Sequence, residues 1–279
     1  MKIYAQKFFS TIREDGFSEA IKKVNRFLLT TIGKNHDGVD PILERRMFIS
    51  KKINSDFNGI IRYGPFAGLK FSDDYYWGGP DRASMLLGIY EKELLTSLLQ
   101  IPARYRYFVN IGAADGYYGI GTLVGGLFTK SFCYEISEKG QSIIKINSEI
   151  NRVADRIVIR GAANAKFHED FTELDADQSV LFVDIEGGEF EIFNQEVLSK
   201  FKNSVIFIEL HDWNRPDGEF QLNKLKEEVE KLFRISRLST TSRDLSSFEE
   251  LRDMSDTDRW LICSEGRPLL MNWWRLDPL

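Results

Sequence analysis

Four short stretches carry residue types and spacings that could do chemistry together. The first is Gly112-Ala-Ala-Asp-Gly116-Tyr-Tyr-Gly119, directly after the apolar run Tyr107-Phe-Val-Asn-Ile111. Its glycines let the backbone turn tightly beneath a ligand, and the helix that starts there offers unpaired N–H groups. The second is Glu135, which closes the next apolar run, Ser131-Phe-Cys-Tyr134, and stands where an acid accepts both hydroxyls of a ribose. Together they approximate a dinucleotide fingerprint, G-x-G-x-x-G with an acid about 20 residues on. The glycine that would admit a pyrophosphate is missing, because the chain has Ala114 and then Asp115. A cofactor without phosphates is therefore favoured.

The third and fourth stretches are Val183-Asp-Ile-Glu-Gly-Gly-Glu189 and Ile208-Glu-Leu-His211-Asp212. They crowd Asp184, Glu186, Glu189, Glu209, His211 and Asp212 onto the edges of two neighbouring strands. Asp115, Asp184 and Glu186 make a poor site for a pyrophosphate but suit a cationic group. His211 is the natural base for a hydroxyl that must lose its proton, and Asp184 and Glu209 complete the catalytic set. Alternatively Asp184, Glu209, His211 and Asp212 would bind a divalent cation such as Mg²⁺ that acidifies the hydroxyl. His36 and His168 lack comparable surroundings and read as solvated.

These stretches sit in an alternating pattern. Strands at 107–111, 131–135, 156–160, 180–185 and 204–210 are interleaved with helices from about 117, at 138–151 and at 188–201, which argues for a parallel sheet with helices on both faces. Ligands of such sheets lie beyond the carboxyl strand ends, where Glu135, Gly161 with Ala162, Asp184 and Glu209 all fall. The last third reads as a helix at 221–232, a strand at 233–238, a polar loop through 258, a strand at 260–263 and an aromatic tail with Trp273 and Trp274. A closing antiparallel pair on the sheet follows. Upstream, 81–100 keeps helical period, 60–63 and 69–71 are short strand candidates, and the aromatic, glycine-rich 73–80 segment reads as a substrate lid or as a hydrophobic plug. Residues 1–55 read as an N-terminal helical extension, and 56–279 as the main domain.

Composition narrows the classes. The chain has 279 residues, 43% of them hydrophobic, enough for one large α/β domain. Lys and Arg number 37 against 42 acids, a net charge of −5 without a basic stripe, so nucleic acid is not expected as the main partner. Cys133 and Cys263 have no C-x-x-C spacing, which suits reduced thiols in a cytoplasmic protein. No signal peptide or bilayer-spanning run is read. Phe17, Ile21, Val24 and Leu28 share a helical face opposite Lys22, Lys23 and Arg26. That face suits packing on its own domain or on a second copy in a homo-oligomer better than peripheral membrane contact.

Asn110-Ile-Gly-Ala-Ala-Asp-Gly-Tyr-Tyr118, Tyr134-Glu135 followed by Asn147 and Asn151, Val183-Asp-Ile-Glu-Gly-Gly-Glu189 and Ile208-Glu-Leu-His211 together resemble the FkbM-type family of S-adenosylmethionine-dependent methyltransferases, over roughly residues 60 to 212. Leu87-Gly-Ile-Tyr-Glu-Lys-Glu93 looks like the segment that precedes the family's first motif. The resemblance implies a Rossmann-like class I methyltransferase fold, a mostly parallel seven-stranded sheet with S-adenosylmethionine across the carboxyl ends of its first strands. It implies that Asn110, Gly112 and Ala114 approach the methionyl part and Glu135 the ribose, with Asp115, Ala162, Asp184 and Glu186 completing the cofactor set. Two positions depart from the family pattern: Asn110 stands where an acid is usual, and Ile136 where a proline is. The implied activity is O-methylation of a hydroxyl on a small molecule or glycan. An NAD(P)-dependent oxidoreductase and a non-catalytic binding module are the alternatives, the former weakened by the missing middle glycine and the absence of a Tyr-x-x-x-Lys pair.

Overall fold

The computed structural model describes residues 40–279. The helical face at 17–28 and His36 lie outside the described residues. A seven-stranded sheet runs in the order β3-β2-β1-β4-β5-β7-β6. Its strands are β1 Tyr107–Ile111, β2 Lys130–Tyr134, β3 Ile157–Arg160, β4 Ser179–Val183, β5 Val205–Glu209, β6 Phe233–Ser239 and β7 Asn272–Pro278. β1 to β5 are mutually parallel, and β7 runs antiparallel between β5 and β6. This is the mixed α/β sheet with a closing antiparallel pair that the sequence pattern implies.

The central strands are apolar throughout because they are covered on both faces. Every position of β4 and β5 is buried. Successive side chains point to opposite faces. Val180 and Phe182 accordingly join Phe108, Phe207 and Trp273 in one core layer, while Leu181 and Val183 join Val109, Ile206 and Trp274 in the other. The helices that build these layers include α1 Pro41–Asp56, α2 Arg82–Leu86, α3 Lys92–Leu98, α4 Tyr117–Val124 and α5 Glu138–Ile150. Among the described residues no helix is long and apolar enough to cross a membrane.

Four sequence-based expectations change. The 81–100 helix is two helices, α2 and α3, because the backbone turns left-handed at Gly88 and Glu91. The 188–201 helix is likewise broken, into Glu189–Ile192 and Gln195–Lys200. The Trp260–Cys263 run is the end of a helix, Asp256–Cys263, whose cap is Ser255 accepting the Asp258 N–H at 3.2 Å. Its one-sided burial, Ile262 inside and Trp260 outside, is helical rather than strand-like. The closing strand is the aromatic tail itself, where Trp273 and Trp274 fill opposite core layers. The fourth change concerns the domain boundary. Ile49 and Ile53 of α1 are buried in the first layer with Phe57, and the compact unit runs from Met47 to Leu279. A boundary at 56 would cut away the part of α1 that this core needs.

Candidate active site

From β1 the strand order grows outward in both directions, through β2 to β3 and through β4 to β5, so the switch point lies between β1 and β4. Beyond their carboxyl ends a crevice must open. At Gly112 the chain leaves β1 with φ +84°, and a Cβ there would lie 1.8 Å from the Asp184 backbone oxygen. Only glycine permits this turn. Ala114 follows with φ +48°, and its N–H donates to Glu135 Oε2 at 2.8 Å. Ser137 N–H donates to Glu135 Oε1, also at 2.8 Å. Glu135 thereby locks the glycine turn to the start of α5, and each oxygen keeps a lone pair for a ligand hydroxyl.

A cavity of about 610 Å³ opens at these strand ends. Asn110, Gly112, Ala114, Glu135, Ala162, Asp184 and Glu186 all line it. Asp115 does not. It accepts the backbone N–H groups of Tyr76 at 2.7 Å, Trp77 at 3.2 Å and Gly78 at 3.2 Å, and lies 3.8 Å from Arg82 Nη2. Expected as a cofactor contact, Asp115 is instead saturated by the segment it pins. Tyr76 and Trp77 of that segment line the cavity while remaining 40% and 58% exposed, the placement of a lid rather than of a buried plug. Asn147 reinforces it, donating to the Asp115 carbonyl at 3.0 Å and accepting Ser72 N–H at 2.8 Å.

Behind the cavity lies a set that the sequence reading did not single out. Tyr90, Glu91, Tyr117 and Tyr118 line its inner wall. Glu91 is buried with a left-handed backbone, and Tyr118 Oη donates to its Oε2 at 2.6 Å. Arg267 bridges Glu91 and Glu209 and places Nε 2.8 Å from Glu265. Burial pushes the Glu91 carboxyl up, against the pull of Arg267. Glu209 is thus corrected as well. Taken above for a catalytic or metal-binding acid, it does not line the cavity and is committed to the Arg267 ion pair.

His211, just past β5, is 2% exposed. Its Nε2 lies 3.5 Å from Glu186 Oε2 and 3.7 Å from Asp184 Oδ1, and its Nδ1 3.5 Å from Glu189 Oε1. Glu189, fully buried, accepts the His211 backbone N–H at 2.7 Å and the Gly187 N–H at 2.9 Å, tying the end of β5 to the turn after β4. The imidazole does not line the cavity, but the two acids beside its Nε2 do. Burial alone would lower its pKa; the Glu189 contact and the charges of Glu209, Glu189 and Glu186 outweigh that, leaving it above the usual histidine value. Asp184 is pushed well above the carboxylate range by burial and by Glu209 and Glu91. Ligand atoms of Asp184, Glu186 and His211 lie within 4.8 Å of one another. Of the four metal candidates named from sequence, Asp184 and His211 meet in this group, Glu186 joins them, and Glu209 and Asp212 stand outside it.

The charge of the wall selects the ligand. Glu91, Glu135, Asp184, Glu186 and Glu191 line the cavity, and among the described residues no Lys, Arg or His does. Even with Glu91 and Asp184 held toward their neutral forms, such a wall offers a pyrophosphate no counter-charge and suits a sulfonium and an ammonium group. S-adenosylmethionine fits this chemistry, and Glu135 and the Gly112 turn both line the cavity that would hold it. Glu135→Ala should weaken S-adenosylhomocysteine binding by about 1–3 kcal/mol, the scale of leaving buried hydrogen-bonding groups without a charged partner. Calorimetric titration checks this; an unchanged affinity in the folded variant would place the ribose elsewhere.

The model of the methyltransferase FkbM domain matches residues 109–256. No curated protein matches the chain. Among solved structures, the O-methyltransferase from Bacillus cereus in complex with S-adenosylhomocysteine is similar at 13% identity and a TM-score of 0.44, over 91% of this chain and 97% of that one. The ribosomal protein L11 methylase from Lactobacillus delbrueckii subsp. bulgaricus is similar at 11% identity and a TM-score of 0.43, over 75% and 84%. The tRNA (m1A58) methyltransferase TrmI from Aquifex aeolicus is similar at 12% identity and a TM-score of 0.40, over 68% of each chain. The family match covers more than half of the sequence and takes in the glycine turn, Glu135 and the Asp184–His211 group, which sets aside the oxidoreductase and binding-module readings: the chain belongs to the FkbM family of S-adenosylmethionine-dependent methyltransferases.

Proposed function

We propose that the protein methylates a hydroxyl group of a small molecule or glycan. The observation that carries this is the run of groups leading from the cavity inward, Asp184 to His211 to Glu189, at 3.7 and 3.5 Å. Bound S-adenosylmethionine supplies an electrophilic methyl group. As the acceptor oxygen forms its bond to that carbon and the carbon–sulfur bond breaks, the hydroxyl proton has to leave. Asp184, in its ionised form at the cavity wall, can take it and pass it to neutral His211, whose imidazolium Glu189 stabilises. Glu91 and the tyrosines on the inner wall orient the acceptor, and the exposed Tyr76 and Trp77 offer flat aromatic faces of the kind on which sugar rings stack. Both cysteines are free thiols, which supports a cytoplasmic setting.

A second reading rests on the 4.8 Å group of Asp184, Glu186 and His211, which would hold a Mg²⁺-like ion that acidifies the same hydroxyl. Two measurements separate and test these readings. Labelled S-adenosylmethionine offered with hydroxyl, amine and thiol acceptors should give a methyl ether by mass spectrometry, and methylation confined to nitrogen or sulfur would refute the proposal. Turnover that survives chelation favours the metal-free relay; turnover abolished by chelation and restored by Mg²⁺ favours the ion.

The relay has a pH signature. Asp184 must be ionised and His211 neutral for the proton to pass, and both pKa values are raised, so rate climbs with pH to an inflection above the unperturbed histidine value of about 6.5 and then levels. A kcat profile that is flat across this range would contradict the role of His211.

A further inference from the structure

A second cavity, of about 700 Å³, lies outside the cofactor site. Lys51 and Asn54 of α1, the stretch from Lys70 to Asp73, Tyr75 and Arg82 form its walls. Its charge is opposite to that of the cofactor cavity: Lys51, Lys70 and Arg82 face a single acid, Asp73. Arg82 is 5% exposed, with its guanidinium 3.8 Å over the Phe71 ring. Asp115, 3.8 Å from Nη2, is the acid paired with it, and three backbone N–H groups already share that carboxylate. Among the described residues Arg82 Nη1 has no hydrogen-bond partner. Burial lowers its pKa to about 10, with Asp115 pulling the other way, so the side chain is still cationic at neutral pH.

Asn54 Oδ1 is a second orphan on the same wall, a buried acceptor without a donor. An unpaired buried donor or acceptor costs about 1–3 kcal/mol, and native structures carry few of them. The two residues that carry these orphans, one cationic and one neutral, line one cavity. Lys51 and Lys70 are exposed, and neither ammonium has a carboxylate partner among the described residues. Tyr75 adds an aromatic face, and Asn58 and Ser72 add amide and hydroxyl groups. A ligand that satisfies this set needs an anion for the basic groups and hydroxyls for the amides.

We propose that this cavity is a second ligand site for an anionic, hydroxyl-rich molecule of the phosphorylated or carboxylated sugar class, held through its anion by Arg82, Lys51 and Lys70 and through a hydroxyl by Asn54. The site stands independently of the acceptor reading above. It is nevertheless joined to the cofactor cavity. Asp73, Tyr75 and Gly79 line the second cavity while Tyr76 and Trp77 line the first, so one segment, pinned by Asp115, is the wall of both.

The test is calorimetric titration of the full chain with glucose 6-phosphate, glucuronate, glucose and inorganic phosphate, repeated with the double variant Lys51→Glu, Lys70→Glu. Both lysines are exposed, so the variant keeps its fold, and an unchanged melting temperature and S-adenosylhomocysteine affinity verify that. At least one anionic sugar should bind about tenfold or more tightly than glucose and than phosphate, the margin expected when charge-assisted and hydroxyl contacts act together. The double variant should lose about tenfold or more of that affinity. Glucose 6-phosphate and glucuronate separate a phosphate from a carboxylate as the anion. The proposal is overturned if neither anionic sugar binds, if glucose or phosphate binds equally well, or if the double variant binds as tightly as the parent.

Discussion

Replacing His211 with alanine is expected to lower turnover by about 10²–10⁴-fold while leaving S-adenosylhomocysteine affinity nearly intact, the usual worth of a positioned acid–base group. Separation of the two effects follows from geometry. The imidazole lies behind Asp184 and Glu186 and does not line the cavity, so the cofactor contacts survive its loss. What disappears is the proton's exit from Asp184, whose Oδ1 lies 3.7 Å from the imidazole Nε2. Steady-state kinetics with a hydroxyl acceptor, alongside calorimetry, reads both effects. Parental turnover in the folded variant would leave bulk water as the proton acceptor.

Arg267→Met should destabilise the fold by about 3–5 kcal/mol, because it leaves Glu91 and Glu209 buried without their shared cation. The loss has a pH dependence of definite sign. Stranded buried carboxylates have folded-state pKa values above their unfolded ones, so they are tolerated while protonated and cost stability as pH rises through the folded value. Denaturant unfolding at about pH 5 and about pH 8 should therefore show the variant losing more at the higher pH. Adding Glu209→Gln to Arg267→Met should recover part of the difference by removing one stranded charge. A variant as stable as the parent at both pH values would mean that the cluster is hydrated rather than buried.

The sheet and the front of the site were legible for related reasons. Strands buried on both faces read as uninterrupted apolar runs, and β4 and β5 are such strands. The glycine turn and Glu135 are local to strand ends, so spacing alone brings Gly112, Ala114 and Glu135 together. The rear wall is not local. Arg267 reaches Glu91 across 176 residues and Glu209 across 58, and no periodicity links such positions. Asp115 is a case of right place and wrong direction: it follows the cofactor turn, yet its carboxylate is taken by backbone N–H groups 37 to 39 residues upstream. Four apolar residues at 260–263 are too few to separate strand from helix. The discriminating signal was the Ser255 cap with Asp256 and Asp258 in the first helical turn.

The measurement that bears most directly on the acid-lined cavity is a paired titration of S-adenosylhomocysteine and NAD into the full chain and into Gly112→Ala. The account predicts that S-adenosylhomocysteine binds the parent and NAD does not, since among the described residues no basic side chain lines the cavity to meet a pyrophosphate. It also predicts that Gly112→Ala loses that binding, because the new Cβ would collide with the Asp184 carbonyl that closes the turn. NAD binding more tightly than S-adenosylhomocysteine, or Gly112→Ala binding S-adenosylhomocysteine as the parent does, would contradict it.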